Sequence, residues 1–290
     1  MTFLTQTRRQ FLRLSLAAGS AALVGDAALL EPNRPRIVRR DIALKRWPER
    51  LQGFTVALLA DFHYDPYFSI HPLRASIGMV NELRPDLILL AGDFVSVPFI
   101  GDEAKAALAA EPCARLLREM RAAYGLWAIM GNHDCSTDPK RVTGALQAEG
   151  IRVLANQSVA IERDGARFWL SGVDDVLSGG ADLRKTLHDV PADEAVILAA
   201  HEPDFADYVV RRFPVDLQLS GHSHGGQVRL PLLPPLYLPR MAKKYVWGLH
   251  QVGALTLYTN AGLGTVAVPV RLNCPPEITL LTLRQSAPEQ

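Results

Sequence analysis

The 290-residue sequence lacks the features that mark several common protein classes. It has three cysteines, Cys113, Cys135 and Cys274, which are too few and too scattered for a disulfide framework or a thiolate zinc site. Its formal net charge of +1 is too small for the basic footprint of a nucleic-acid-binding protein. No repeat or low-complexity segment stands out. We therefore expect a monomer that binds no nucleic acid, and the 48% hydrophobic content allows one large core.

The amino terminus also lacks an unbroken run of the roughly 20 apolar residues that a confident membrane span needs. Instead Arg8 and Arg9 precede an apolar stretch at 14–30 that Gly19 and Asp26 interrupt. This order resembles a twin-arginine export signal, although an amphipathic surface helix is the alternative. We predict a signal segment at 1–30, a linker at 31–36 and a catalytic domain at 37–290. The expected location is the periplasm or the outer face of the cytoplasmic membrane, with the leader either cleaved or kept as an anchor.

Short apolar runs then alternate with segments in which apolar residues recur at helical spacing. This alternation favours an α/β architecture, in which ligands bind at the carboxyl ends of strands. Strands are predicted at 37–44, 54–60, 87–91, 126–130, 159–163, 168–171, 195–200, 217–219, 255–259 and 278–283. Helices are predicted at 72–83, 103–121, 141–148 and 204–212.

Five clusters of polar residues each follow a predicted strand. Asp61 and His63 are two residues apart, so in extended backbone both side chains point to the same side. Asp93 follows Gly92, and its two carboxylate oxygens could bridge two ions. The remaining clusters are Asn132-His133-Asp134, His201 alone, and His222 with His224. Mixed imidazole and carboxylate ligands suit zinc, manganese or iron.

Chance is the alternative explanation, because any one of these clusters occurs in many proteins without a metal. Five of the eight histidines, however, fall in the clusters. All the clusters are also delivered to the same edge of the predicted sheet. We therefore interpret them together as a metal site.

The order of the clusters resembles the calcineurin-like metallophosphoesterase superfamily, whose pattern reads D-x-H, G-D, G-N-H-D or G-N-H-E, a lone H, and G-H-x-H. All five blocks are present between Phe54 and Leu283. The stretches 224–227, 260–264 and 274–278 are similar to the YkuE/YaeI-like branch of bacterial phosphodiesterases.

The resemblance implies a four-layer αββα sandwich of two mixed β-sheets flanked by helices. It also implies two divalent ions and attack by a metal-bound hydroxide. One ion would be held by Asp61, His63 and His224, the other by Asn132, His201 and His222, with Asp93 bridging both. His133 is assigned to transition-state stabilisation or leaving-group protonation. Asp134 either orients His133 through a hydrogen bond or caps the next helix.

The leading functional hypothesis is a phosphomonoesterase or phosphodiesterase of the cell envelope. Its candidate substrates are lipid-linked phosphates and nucleotide-diphosphate conjugates. The stretch Leu230 to Tyr245, with Lys243 and Lys244 near its end, is either an apolar and basic ledge for a lipid or membrane, or a loop packed on the body. A nuclease on the same core and a non-enzymatic, metal-containing envelope-binding module are the competing classes.

Overall fold

Two six-stranded β-sheets form the centre of the molecule in a computed structural model that describes residues 7–97 and 103–287. Residues 1–6 of the predicted signal segment, and 98–102 and 288–290 of the predicted catalytic domain, lie outside the described residues. The strand order is β1-β12-β2-β3-β4-β5 in the first sheet and β10-β11-β9-β8-β7-β6 in the second. The strands of the first sheet are β1 (Arg36–Leu44), β2 (Phe54–Leu59), β3 (Leu87–Ala91), β4 (Leu126–Ile129), β5 (Arg152–Val153) and β12 (Glu277–Gln285). Those of the second are β6 (Gln157–Arg163), β7 (Ala166–Gly172), β8 (Val196–Ala199), β9 (Leu217–Ser220), β10 (Gly248–Val252) and β11 (Leu255–Thr259).

Both sheets are mixed, because most neighbouring strands run parallel while a few pairs run antiparallel. In the first sheet β12 pairs antiparallel with β2, and in the second β6 with β7 and β10 with β11. Strands β2, β3 and β4 are parallel neighbours, as are β7, β8 and β9. The carboxyl ends of each parallel group meet at one edge, which is where the polar clusters follow.

The helices lie outside the two sheets, and several of them pack on the outer faces. Their bounds are α1 (Arg8–Gly25), α2 (Ile70–Leu83), α3 (Glu103–Ala106), α4 (Ala110–Leu117), α5 (Asn132–Ser136), α6 (Pro139–Ala148), α7 (Leu183–Thr186) and α8 (Ala206–Val209). A π-helical turn at Asp26–Leu30 and 3₁₀ turns at Glu31–Asn33, Glu49–Leu51, Ala107–Ala109, Pro203–Phe205 and His224–Gly226 complete the helical elements.

Three buried hydrophobic clusters define four layers. The central cluster lies between the sheets, where Val56 and Leu89 of the first sheet share a core with Leu170 and Leu219 of the second. A second cluster joins the first sheet to helices α2, α4 and α6, and a third joins the second sheet to α7 and α8. Since strands buried on both faces need apolar side chains pointing both ways, β3 is apolar throughout. The expected four-layer αββα sandwich is confirmed.

Several predicted elements differ from the structure. The helix predicted at 103–121 is broken into α3, a 3₁₀ turn and α4, because Pro112 has no N–H for an interior helical bond and is tolerated in the first turn of α4. The predicted linker at 31–36 is a 3₁₀ turn followed by the start of β1. Strands β5 and β10 were not predicted, since β5 has two residues and β10 alternates between half-buried and exposed positions.

Candidate metal centre

The metal-ligand candidates lie on sharp turns just beyond the strands. Asp61, His63, Asp93, His222 and His224 all adopt positive φ angles, between 41° and 69°. Such left-handed backbone is uncommon outside glycine and concentrates at functional sites. The expectation that extended backbone aligns Asp61 with His63 is therefore wrong. Two left-handed residues place both side chains on one side instead.

One cluster of ligand atoms contains Asp61, His63 and His224, all three buried. The Nε2 atoms of His63 and His224 are 3.0 Å apart. His224 Nε2 is also 3.7 Å from Asp61 Oδ1. Three potential ligand atoms therefore converge from the turns after β2 and β9.

A second cluster contains Asp93, His201 and His222. His201 follows β8, and its Nε2 is 3.2 Å from Asp93 Oδ2. The same Oδ2 atom is 3.5 Å from His63 Nε2 in the first cluster. One carboxylate oxygen therefore lies between the two sets, which is where a bridging ligand must be.

Hydrogen bonds indicate which nitrogen of His63, His201 and His222 faces the centre. His201 Nδ1 lies 2.6 Å from the Ala91 carbonyl and His222 Nε2 lies 2.8 Å from the Arg240 carbonyl. Since a carbonyl oxygen only accepts, both nitrogens carry protons, leaving His201 Nε2 and His222 Nδ1 as lone-pair donors. His63 Nδ1 contacts Ser96 Oγ at 3.0 Å, which leaves its Nε2 for a metal. Partners of this kind orient metal-bound histidines.

Buried polar atoms at the centre indicate that cations fit these residues. Asn132 Oδ1 and His201 Nε2 are buried and have no hydrogen-bond partner among the described residues. An unpaired buried acceptor costs about 1–3 kcal/mol, and metal coordination would satisfy both. Asn132 is the first residue of α5, at the turn after β4, and its role as a ligand of the second ion stays a prediction from the resemblance.

Burial also sets the protonation of the ligands. It lowers the pKa of His63 to about 3 and that of His222 to about 4, so both are neutral, the form that binds metals. Burial opposes a charge on His201, but the carboxylates of Asp93 and Asp61 raise its pKa well above the usual value. A metal cation between the carboxylates of Asp93 and Asp61 would neutralise their charge in place of a proton on His201.

Asp134 does not orient His133. Its carboxylate accepts four backbone N–H groups, from Asp93, Phe94 and Val95 after β3 and from Gly131 at the start of α5, at 2.8 to 3.1 Å. No hydrogen bond joins Asp134 to His133 within residues 7–97 and 103–287. The alternative, a helix-capping residue, matches the Gly131 contact, but the larger effect is to join the loop carrying Asp93 to the loop carrying Asn132.

His133 lies beside the first cluster. Its ring meets the His63 ring edge to face, with centroids 4.7 Å apart. Because the Val97 N–H donates to His133 Nδ1 at 2.8 Å, the neutral ring carries its proton on Nε2. That proton is available to a substrate oxygen at the metal centre.

Sequence reasoning missed Arg271, which is fully buried. Its guanidinium donates to the carbonyls of Ala261, Gly262, Gly264 and Cys274. Those glycines pack directly on Asp61, since a Cβ added at Gly262 would lie 2.7 Å from Asp61 Cβ. The sequence feature that could have pointed to a buried arginine is the position of Arg271 within the apolar run 266–272.

A family model for calcineurin-like phosphoesterases matches residues 54–226 of this chain. The chain belongs to that family. It is therefore a metal-dependent phosphoesterase, and the family typically binds a dinuclear metal site. The two ligand clusters and the intervening Asp93 agree with such a site.

Two full-length relatives resemble this phosphoesterase. The metallophosphoesterase YkuE of Bacillus subtilis is 35% identical over 97% of this chain and 98% of its own length. The phosphodiesterase YaeI of Escherichia coli is 32% identical over 96% of this chain and 99% of its own length. The expected YkuE/YaeI-like resemblance is confirmed. NAD nucleotidase of Haemophilus influenzae shares the fold, with a TM-score of 0.50 at 13% identity over 72% of this chain and 45% of that one.

Proposed function

We propose that this chain hydrolyses phosphodiesters in the cell envelope with two divalent ions of manganese, zinc or iron. The observation that carries the proposal is the position of Asp93 Oδ2, which is 3.5 Å from His63 Nε2 and 3.2 Å from His201 Nε2. Ligands with mixed nitrogen and oxygen donors suit these borderline or hard ions. A structural ion would need only one closed set of four ligands.

Two bound ions would supply a water of lowered pKa and neutralise charge on the attacked phosphate. The chain's own groups do the rest. His133 Nε2–H can donate to a phosphoryl or leaving-group oxygen. Asp93 Oδ1 accepts the His133 backbone N–H at 2.9 Å, so the carboxylate that would bridge the ions and the proton donor hold a fixed relative position.

Preference for diesters is supported by the relationship to YaeI, which is named a phosphodiesterase. The surroundings of the site suit an apolar substituent. The loop after His224 exposes Leu232, Leu236 and Tyr237. The basic part of the predicted ledge is weaker, since Lys244 Nζ donates to both carboxylate oxygens of Asp207 at 2.8 Å. We therefore favour a substrate whose phosphate carries a lipid over a nucleotide-diphosphate conjugate.

The test is metal-dependent hydrolysis of bis-p-nitrophenyl phosphate and p-nitrophenyl phosphate by the parent chain and by Asp93→Asn. Asp189→Asn is the matched control, because its side chain is 88% exposed. We expect manganese- or zinc-dependent turnover that Asp93→Asn abolishes and the control retains, with the diester preferred. Equal turnover in all three proteins would refute the assignment.

His133→Ala separates an enzyme from an envelope-binding module. We expect it to retain both metals, measured by elemental analysis, and to lose turnover. Parent protein that binds two metals but turns over neither nitrophenyl ester would favour the binding module. Hydrolysis of DNA at rates above those of the diester would favour a nuclease.

We also propose export by the twin-arginine pathway. The observation in its support is the pair Arg8 and Arg9 at the start of the apolar helix α1. Replacing both by lysine should retain the protein in the cytoplasm, whereas Arg39→Lys, in the exposed part of β1, should not. Normal export of the double variant would exclude this route.

A further inference from the structure

The amino-terminal helix touches the folded body only at its end. None of the α1 residues is buried. The continuous helical segment Arg8–Asn33 is 26 residues long and is apolar enough to cross a membrane. Phe11 and Leu16 are 61% and 73% exposed. Large apolar side chains displayed in this way indicate a partner surface, and the 18 residues of α1 lie within the length range of a membrane-spanning helix.

The residues that follow α1 are part of the folded body. Ala27 and Pro32 are buried, and the Ala27 carbonyl accepts the N–H of Arg271 at 2.9 Å. The Glu31 carboxylate accepts the backbone N–H groups of Asn273, at 2.9 Å, and of Cys274. This clamp, Ala27 to Pro32 on Arg271 to Cys274, fixes the point at which the helix leaves the body.

Exposed apolar side chains lie on two loops that continue directly from metal ligands. Tyr67 and Phe68 follow His63, and the loop 230–239 runs from the His224 turn to Arg240, whose carbonyl holds His222. We call these side chains the apolar rim, and its members are Tyr67, Phe68, Leu232, Leu233, Leu236 and Tyr237. All six are more than half exposed, and Leu232 is fully exposed.

The clamp contacts elements that adjoin both loops of the rim. On one side Val228 forms a β-bridge with Leu272, and the Arg229 N–H donates to the Leu272 carbonyl at 2.9 Å. On the other side the turn Glu31–Asn33 packs against α2, the helix that begins just after Phe68. The point at which α1 leaves the body is therefore connected to the elements that carry both loops of the rim.

We infer that α1 is retained as a membrane anchor and that the apolar rim rests on the same bilayer, so that the metal centre opens toward lipid headgroups. This inference rests on the proposed function and names its substrate class, a phosphodiester within a lipid headgroup. Side chains at the edge of the rim suit a position at the depth of the lipid headgroups. Tyrosine and tryptophan are typical of the membrane interface. Trp247 has the Arg229 guanidinium 4.4 Å above its ring.

The first part of the test uses the full chain mixed with vesicles of phosphatidylethanolamine and phosphatidylglycerol. We expect the protein to float with the vesicles and to resist extraction by alkaline carbonate. Release by carbonate would overturn the anchor.

The second part places a fluorescent probe on the rim. Tyr237→Trp adds a tryptophan at a side chain that is 72% exposed. Glu162→Trp is the matched control, since it is an exposed position of β6 next to the turn farthest from the carboxyl ends of the second sheet. Vesicles of brominated lipid should quench the added emission of Tyr237→Trp and leave that of Glu162→Trp unchanged. If Tyr237→Trp does not fold, Tyr67→Trp serves the same purpose.

Floating protein whose rim tryptophan is quenched no more than the control would overturn the seating of the rim. Neither readout requires metal or turnover. Failure here would thus leave the phosphodiesterase proposal standing. Absence of turnover with strong rim quenching would overturn the phosphodiesterase proposal and the substrate class, while the anchor and the seating of the rim would stand.

Discussion

Asp134→Asn tests whether one buried carboxylate holds the metal-site loops together. In the parent, Oδ1 accepts the N–H groups of Phe94 and Val95, and Oδ2 accepts those of Asp93 and Gly131. Asparagine offers one oxygen and one NH₂ group. In either orientation of the amide, two of the four backbone donors face another donor.

The expected cost follows from those two donors. A buried hydrogen-bonding group left without a partner costs about 1–3 kcal/mol, so Asp134→Asn should lower the free energy of unfolding by about 2–6 kcal/mol. Domains of this kind have a total stability of only about 5–15 kcal/mol. The variant should therefore unfold at a clearly lower urea concentration.

The assay is urea unfolding followed by circular dichroism, with a chelator present so that metal affinity does not contribute, and a mild detergent to keep α1 soluble. Asp138→Asn is the matched control. Asp138 caps α6 by accepting the Arg141 N–H at 3.0 Å, and asparagine caps equally well. A loss below about 1 kcal/mol in Asp134→Asn, or an equal loss in both variants, would refute this account, because two unpaired donors cost more.

Three further predictions follow from the site. Gly264→Ala should destabilise the protein by about 1–3 kcal/mol in thermal unfolding, because its Cβ would collide with the Phe62 carbonyl, whereas Gly144→Ala, with open space around it, should not. Cys135 should react slowly with iodoacetamide at neutral pH, because burial raises the pKa of its thiol. Rapid alkylation of folded protein, seen by mass spectrometry, would contradict this. Removing metal held at a thousandfold excess over its Kd should lower the free energy of unfolding by about 4 kcal/mol for each bound ion. Metal removal should lower the free energy of unfolding of Asp93→Asn by less. An equal loss in the parent and the variant would argue that Asp93 does not bridge two ions.

Much of the metal centre could be predicted from the sequence, because its signals are local. Apolar runs such as Leu87–Ala91 and Leu255–Thr259 mark strands whose bounds the structure repeats. A polar cluster directly after such a run must lie at the carboxyl end of the strand. The sequence therefore indicated six side chains that the structure gathers, Asp61, His63, Asp93, His201, His222 and His224, and the resemblance divided them into two sets.

Other features depend on contacts between distant parts of the chain. Asp134 binds N–H groups 39 to 41 residues away, so its spacing to His133 carried no information about its role. Arg271 donates to carbonyls that a loop brings to it, and a lone arginine in an apolar run does not reveal those acceptors. The left-handed backbone at Asp61 and His63 likewise replaced the extended geometry expected from their spacing.

The sequence by itself determined most of the strands along the chain, the ligand types and the family, because apolar periodicity and short motifs are properties of neighbouring residues. Only the tertiary structure decided which oxygen lies between the ligand sets, which histidine nitrogens face them, and that the amino-terminal helix leaves the body beside exposed apolar loops. These depend on how two sheets pack and where loops from separate strands meet. Such distances are set by the whole core, and no stretch of sequence contains them.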